Sequence, residues 1–156
     1  MIIYKRSSGK SAPYLFALLL AVVFAVSLLI FLFFGNSAVH RVFFFPVDGL
    51  KNNPGEIRYL PREENREKEI EDYIKEIILG PVQVEYSRLL PKEAILNTVI
   101  LRENNLYIDF SEDVLFQEID NPLTFNESIA LLKECLRFNF HYLREIYITI
   151  NGQVPE

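Results

Sequence analysis

Between Tyr14 and Phe34 the chain reads YLFALLLAVVFAVSLLIFLFF, a run with no charge and with Ser27 as its one clearly polar side chain. As a helix at about 1.5 Å per residue it covers roughly 30 Å, the thickness of a bilayer's hydrocarbon core. A core helix of a soluble domain carries a polar face, and this segment has none. The apolar region of a cleaved signal peptide is shorter, about 7–15 residues. The run therefore predicts a transmembrane helix over residues 14–34 that stays attached. The small residues Gly35-Asn36-Ser37-Ala38 leave cleavage just beyond it as the alternative.

Lys5, Arg6 and Lys10 precede the run and no acidic residue does. The positive-inside rule then predicts a cytoplasmic basic tail over residues 1–13, a single pass through the cytoplasmic membrane, and everything beyond Phe34 outside. The residues after Phe34 hold 13 Lys and Arg against 21 Asp and Glu, a formal net charge of −8. A nucleic-acid partner is not expected of such a surface. The single cysteine, Cys135, has no partner for a disulfide within the chain and sits among Leu132, Leu136 and Phe138, as a small buried hydrophobe does.

Residues 38–156 have the size of one domain, with no repeat and no Gly/Ser linker. Ala38 to Val47 is aromatic and β-branched, which predicts a strand covered on both faces. Turn signals at Asp48-Gly49, Asn52-Asn53 and Pro54-Gly55 lead into a second short strand, Glu56 to Leu60. The period then changes: Ile70, Tyr73, Ile74, Ile77 and Ile78 mark one face of a helix from about Asn65 to Leu79. Glu64 with Lys68 and Glu71 with Lys75 are expected to pair on its other face. Gly80 is expected to end that helix as a left-handed cap, with Pro81 forbidding continuation.

Two β-rich runs follow, Ile95 to Arg102 and Leu106 to Phe110, predicted to pair antiparallel around a corner at Asn104-Asn105. TFNE at Thr124 to Glu127 is a capping box opening a helix to about Tyr142, with Phe125, Ile129, Leu132, Leu136 and Phe140 on one stripe. Glu145 to Gly152 alternates as a last strand. The expected fold class is α+β, two helices packed on one face of a small mixed or antiparallel sheet. Its core would draw on Phe43, Phe45, Ile74, Ile77, Ile78, Val99, Ile108, Leu132, Leu136, Ile146 and Ile148.

Signals for chemistry are sparse. His40 and His141 lie far apart in sequence with no further ligand at matched spacing. Asp109, Glu112 and Asp113 could divide acid and base work, yet acidic residues where a strand leaves a sheet ordinarily form an exposed turn. Ser111 lacks the sharp-turn context of a nucleophile. The acidic face from Glu63 to Glu76 reads as a solvated surface, with docking as the alternative. No catalytic, cofactor-binding or metal-binding residue is assigned, and no enzymatic activity is expected.

The order of these signals resembles the GerMN domain family of sporulation and spore germination. Its members run through a hydrophobic strand, a strand containing Arg, a helix ending in Leu-x-Gly-Pro, a hairpin ending in Val-Asp-Leu-Ser, a helix, and a strand closing in Asp-Gly. Here Val42-Phe43-Phe44-Phe45, Arg58-Tyr59-Leu60, Ile78-Leu79-Gly80-Pro81, Leu90-Pro91, Ile108-Asp109-Phe110-Ser111 and Ile150-Asn151-Gly152 stand in that order. Cys135-Leu136, Phe140-His141-Tyr142 and Glu93-Ala94 depart from the usual family residues. The resemblance implies a ring-building-motif-like α+β module tethered by one membrane helix, without catalytic residues. Its expected role is interaction or scaffolding in the bacterial cell envelope, linked to sporulation, germination or cell-wall assembly. Envelope proteins or peptidoglycan are the expected partners, with self-association also open. A glycan-binding module using Tyr59, Tyr73, Tyr86, Tyr107 and Tyr147 is the alternative, and a wall hydrolase using Asp109 and Glu112 is a further one.

Overall fold

The computed structural model describes residues 12–34, 38–49, 53–116 and 121–155. The basic tail with Lys5, Arg6 and Lys10, the Gly35-Asn36-Ser37 stretch and the turn position Asn52 lie outside the described residues. The chain divides into two compact units with the boundary between Ser37 and Ala38.

The first unit contains one helix, α1 (Ala12–Phe34). Its stretch Tyr14–Phe33 is long and apolar enough to cross a membrane, and the side chains along it are exposed.

The second unit contains β1 (Ala38–Phe44), β2 (Gly55–Pro61), α2 (Arg66–Leu79), β3 (Leu96–Arg102), β4 (Asn105–Phe110), α3 (Phe125–Asn139) and β5 (Ile146–Ile150). A short 3-10 turn, Glu112–Leu115, follows β4. The fold is α+β, with the strands divided between two sheets. β1 and β2 form an antiparallel pair in the register Val42 opposite Ile57. The other sheet is mixed, in the order β3-β4-β5: β3 and β4 are antiparallel, and β5 lies parallel to β4. A parallel neighbour needs a crossover, and α3 supplies it.

Helix α2 buries Ile70, Tyr73, Ile74 and Ile77. Asn65 caps its start by accepting the Glu67 N–H at 2.8 Å. On α3 the Thr124 hydroxyl accepts the Glu127 N–H and the Glu127 carboxylate accepts the Thr124 N–H, the expected capping box. These two helices share one core with Phe43, Phe45, Leu106, Ile108, Phe110, Ile146 and Ile148.

Several expectations shift. β1 is not covered on both faces: Phe43 is buried, while Ala38 and His40 are exposed. Ile78 and Val99 pack against the core only partly buried. Lys68 pairs with Asp72 at 2.8 Å rather than with Glu64, which precedes the first helical residue, whereas Glu71 and Lys75 do pair. The hairpin corner is Glu103-Asn104, at φ 51° and 68°, because Arg102 opposite Asn105 leaves a two-residue loop. Helix α3 stops at Asn139, where the chain turns so that Phe140 and Leu143 enter the core. Gly80 has positive φ, but its ψ of −179° is extended rather than left-handed helical.

Asn139 has a further task. Its side-chain amide accepts the Val42 N–H at 2.9 Å and donates to the Val42 carbonyl at 2.7 Å. One side chain thus closes the outer edge of β1 at Val42 as a neighbouring strand would.

Candidate functional site

Asp109 projects from β4 beside Thr149 of β5. One carboxylate oxygen accepts from the Thr149 hydroxyl at 2.6 Å and from the Gly152 N–H at 2.7 Å. The other accepts from the Asn97 side-chain amide at 3.0 Å. The Thr149 hydroxyl, then Asn97 and the Gly152 N–H, hold the Asp109 carboxyl below its usual range against a smaller opposing effect of burial. A general acid needs the opposite shift, and a carboxylate already accepting three hydrogen bonds is a poor nucleophile or base. Glu112 accepts from the Asn151 side chain at 3.0 Å, fastening the same turn. Ser111 accepts the Ile95 N–H at 3.2 Å and donates to Asp113 at 3.0 Å, so it staples the start of β3. These residues hold together the turn after β5, where Gly152 takes φ +77°.

That arrangement sets a pH dependence. Because the folded pKa of Asp109 lies below its unfolded value, its contribution is fully present above about pH 4, the ordinary range of an aspartate, and is lost as pH falls through the folded pKa. Asp109→Asn is expected to be less stable than the parent at pH 7, with the difference shrinking steadily below pH 4. Urea midpoints of the two chains across that range are the check, and a gap independent of pH would contradict it.

Arg58 organises the second cluster. From β2 its guanidinium donates to Glu56 at 2.6 Å, to the Glu76 carboxylate at 2.9 Å and to the Gly80 carbonyl at 2.7 Å, and it lies over the Phe43 ring at 4.9 Å. Glu56 also accepts the Val82 N–H at 3.1 Å. Arg88 donates to the Ile78 and Leu79 carbonyls. Two arginines therefore satisfy the last carbonyls around the end of α2, where a cation also meets the negative end of the helix dipole. Farther along α2, Glu69 pairs with Arg41 and Glu67 accepts the Leu101 N–H at 2.7 Å. Part of the acidic face from Glu63 to Glu76 is thus tied into the domain rather than solvated.

The five tyrosines separate. Tyr73 is buried and donates to the Val42 carbonyl at 2.7 Å, and Tyr86 is half-buried. Tyr59 is 71% exposed on β2, with His40 edge-on at 4.5 Å. Tyr107 and Tyr147 are stacked on the open face of the mixed sheet, their centroids 5.0 Å apart and their planes 11° from parallel. Each ring covers a face of the other, so the pair offers less flat surface to a sugar than two separate rings would. His141 lies 6.5 Å from the Phe138 ring, away from the neighbours of His40. Among the described residues no group of three His, Cys, Asp or Glu is placed to hold a metal ion. Cys135 is buried, and burial pushes its thiol up to about 11.

Sequence reasoning missed the roles of Arg58, Arg88 and Asn139. An arginine two residues from a glutamate on an alternating strand, upstream of a Gly-Pro helix end, was the available signal for the first.

The fold and these clusters define a small α+β domain whose signature polar residues are engaged internally, in a chain that also carries an apolar helix of membrane-spanning length. Residues 41–156 match the Germane family, described as sporulation and spore germination, and the chain belongs to that family. The first GerMN domain of the sporulation protein GerM from Bacillus subtilis is similar in structure, at 18% identity and a TM-score of 0.53, covering 75% of this chain and 86% of that one. The tandem GerMN domains of the same protein give 12% identity and a TM-score of 0.52, over 75% of this chain and 40% of that one. A putative lipoprotein from Clostridium perfringens gives 16% identity and a TM-score of 0.45, over 75% and 77%. No curated protein matches the chain.

Proposed function

We propose that the chain is a membrane-tethered, non-catalytic docking domain of the bacterial cell envelope, held by residues 14–34 with its N-terminus in the cytoplasm and residues 38–156 outside. Its partners in this reading are other exported envelope proteins of a sporulation, germination or wall-assembly complex. The observation that carries the reading is the use of the family's signature residues. Asp109 binds the Gly152 turn, and Arg58 binds the Gly80 end of α2. Motifs spent on packing leave function to the surface, as in a scaffold. The rival wall hydrolase depends on Asp109, whose carboxylate is lowered and already shared among three donors.

Crosslinking in native membranes followed by mass spectrometry is expected to join residues 38–156 to another exported protein, with protease added to spheroplasts digesting the same residues. Links only to cytoplasmic proteins, or full protection from protease, would overturn the reading. Glycan binding is the second reading, favoured by the exposure of Tyr107 and Tyr147 on one sheet face. Co-sedimentation of the full chain with purified peptidoglycan, abolished by Tyr147→Ala, would establish it in place of protein docking.

A further inference from the structure

The two edges of the β1-β2 sheet are treated differently. On β1, Val42 turns its N–H and carbonyl away from β2 to Asn139, and the Phe44 carbonyl likewise turns away to the Cys135 thiol. Val42 and Ile57 are therefore a pair without mutual hydrogen bonds, and so by alternation are His40 with Tyr59 and Phe44 with Gly55. It follows that Gly55, Ile57 and Tyr59 direct their own backbone groups outward, along the free edge of β2. Among the described residues nothing bonds the backbone of Ile57 or Tyr59 on that side. Their side chains are exposed as well, Ile57 at 64% and Tyr59 at 71%. An edge strand with open backbone groups and apolar side chains is a template for another strand.

We infer that the β2 edge pairs antiparallel with the β2 edge of a second copy of this chain, about a two-fold axis at Ile57. Charge selects both occupant and register. Glu56 and Arg58 alternate with the edge residues on the inner face of β2. Sliding the axis to residue 56 sets Glu56 against Glu56 of the second copy, and sliding it to residue 58 sets arginine against arginine. With the axis at Ile57, Glu56 of each copy faces Arg58 of the other, and like charges never meet. Moving the axis to Tyr59 brings Pro61, which has no N–H, into the ladder opposite Ile57. The chosen register also sets Tyr59 opposite Gly55, which has no side chain, and Ile57 against itself. A self-complementary strand of this kind is what an isologous two-fold contact requires. The pairing goes beyond the docking role above and holds whether or not the domain is exported.

Disulfide capture in the full chain in detergent tests it. Directly opposed residues lie about 5.5 Å apart between Cα atoms, within reach of a disulfide, whereas Tyr59 of the two copies would be about 14 Å apart. Under mild oxidation Ile57→Cys is expected to form a covalent dimer, with Tyr59→Cys and the parent, whose Cys135 is buried, remaining at background. In a second measurement, the parent is expected to show twice its 18.2 kDa mass by light scattering corrected for detergent. Ile57→Lys, which sets two ammonium groups on the axis, should return it to a monomer with an unchanged circular dichroism spectrum. A monomeric parent, an Ile57→Cys thiol that reacts with maleimide but never dimerises, equal capture at Tyr59→Cys, or a dimer that survives Ile57→Lys would each overturn the inference. An edge filled by some other protein would appear as one of these results.

Discussion

Gly80→Val is expected to lower the thermal midpoint of the domain from Ala38 onward by roughly 10 °C, as a loss of about 3 kcal/mol does in a domain of this size. Gly80 sits at φ +87° and ψ −179°, a region open essentially to glycine alone. A residue with a Cβ held there costs about 1–3 kcal/mol in backbone strain. The added carbon would also lie 2.8 Å from the Arg88 guanidinium. Arg88 must then move, which weakens its hydrogen bonds to the Ile78 and Leu79 carbonyls. A β-branched residue before Pro81 is restricted further. Near-UV circular dichroism of the full chain in detergent reads the packed tyrosines and separates this transition from any melting of α1. A midpoint within a degree or two of the parent would mean that the end of α2 does not need its observed geometry.

What the sequence makes legible follows the range of the interactions. The apolar run, the helical face of α2 and the Thr124 capping box are set by residues within a few positions of one another, and each appears where periodicity predicts it. Positive φ at Gly80 was legible from the Gly-Pro that follows a periodic run. Its extended ψ was not, because that depends on Arg58 gripping the Gly80 carbonyl from 22 residues away. The division of the strands into two sheets was likewise hidden: β5 joins β4 in parallel only after α3 has crossed over, and no local pattern encodes a partner. Asp109, expected on an exposed turn, is half-buried and bonded within the domain, and local sequence carried no sign of it. Two of its three donors, Thr149 and Gly152, lie 40 and 43 residues ahead. The free edge of β2 became visible only through Asn139, 97 residues from the Val42 backbone it binds.

The largest single effect is expected at Arg58. Its side chain is 13% exposed and its partner Glu56 only 8%, so replacing Arg58 by Met keeps the stem over Phe43 while leaving a nearly buried carboxylate short of its counter-charge. Removing one member of a buried ion pair typically costs about 3–5 kcal/mol, far more than the net worth of the pair. The Gly80 carbonyl and Glu76 lose a donor at the same time. Glu56→Gln alone is expected to cost less, because Gln keeps an oxygen for the Val82 N–H and Arg58 keeps Glu76. Combining the two changes should cost less than their sum by about 1–2 kcal/mol, since the double variant no longer buries an unpaired charge. Urea denaturation followed by tyrosine fluorescence suits a chain with no Trp and gives all four stabilities on one scale. Strict additivity would mean that Glu56 and Arg58 do not act as a pair, and that Arg58 stabilises the domain through its contacts with Glu76, Gly80 and the Phe43 ring alone.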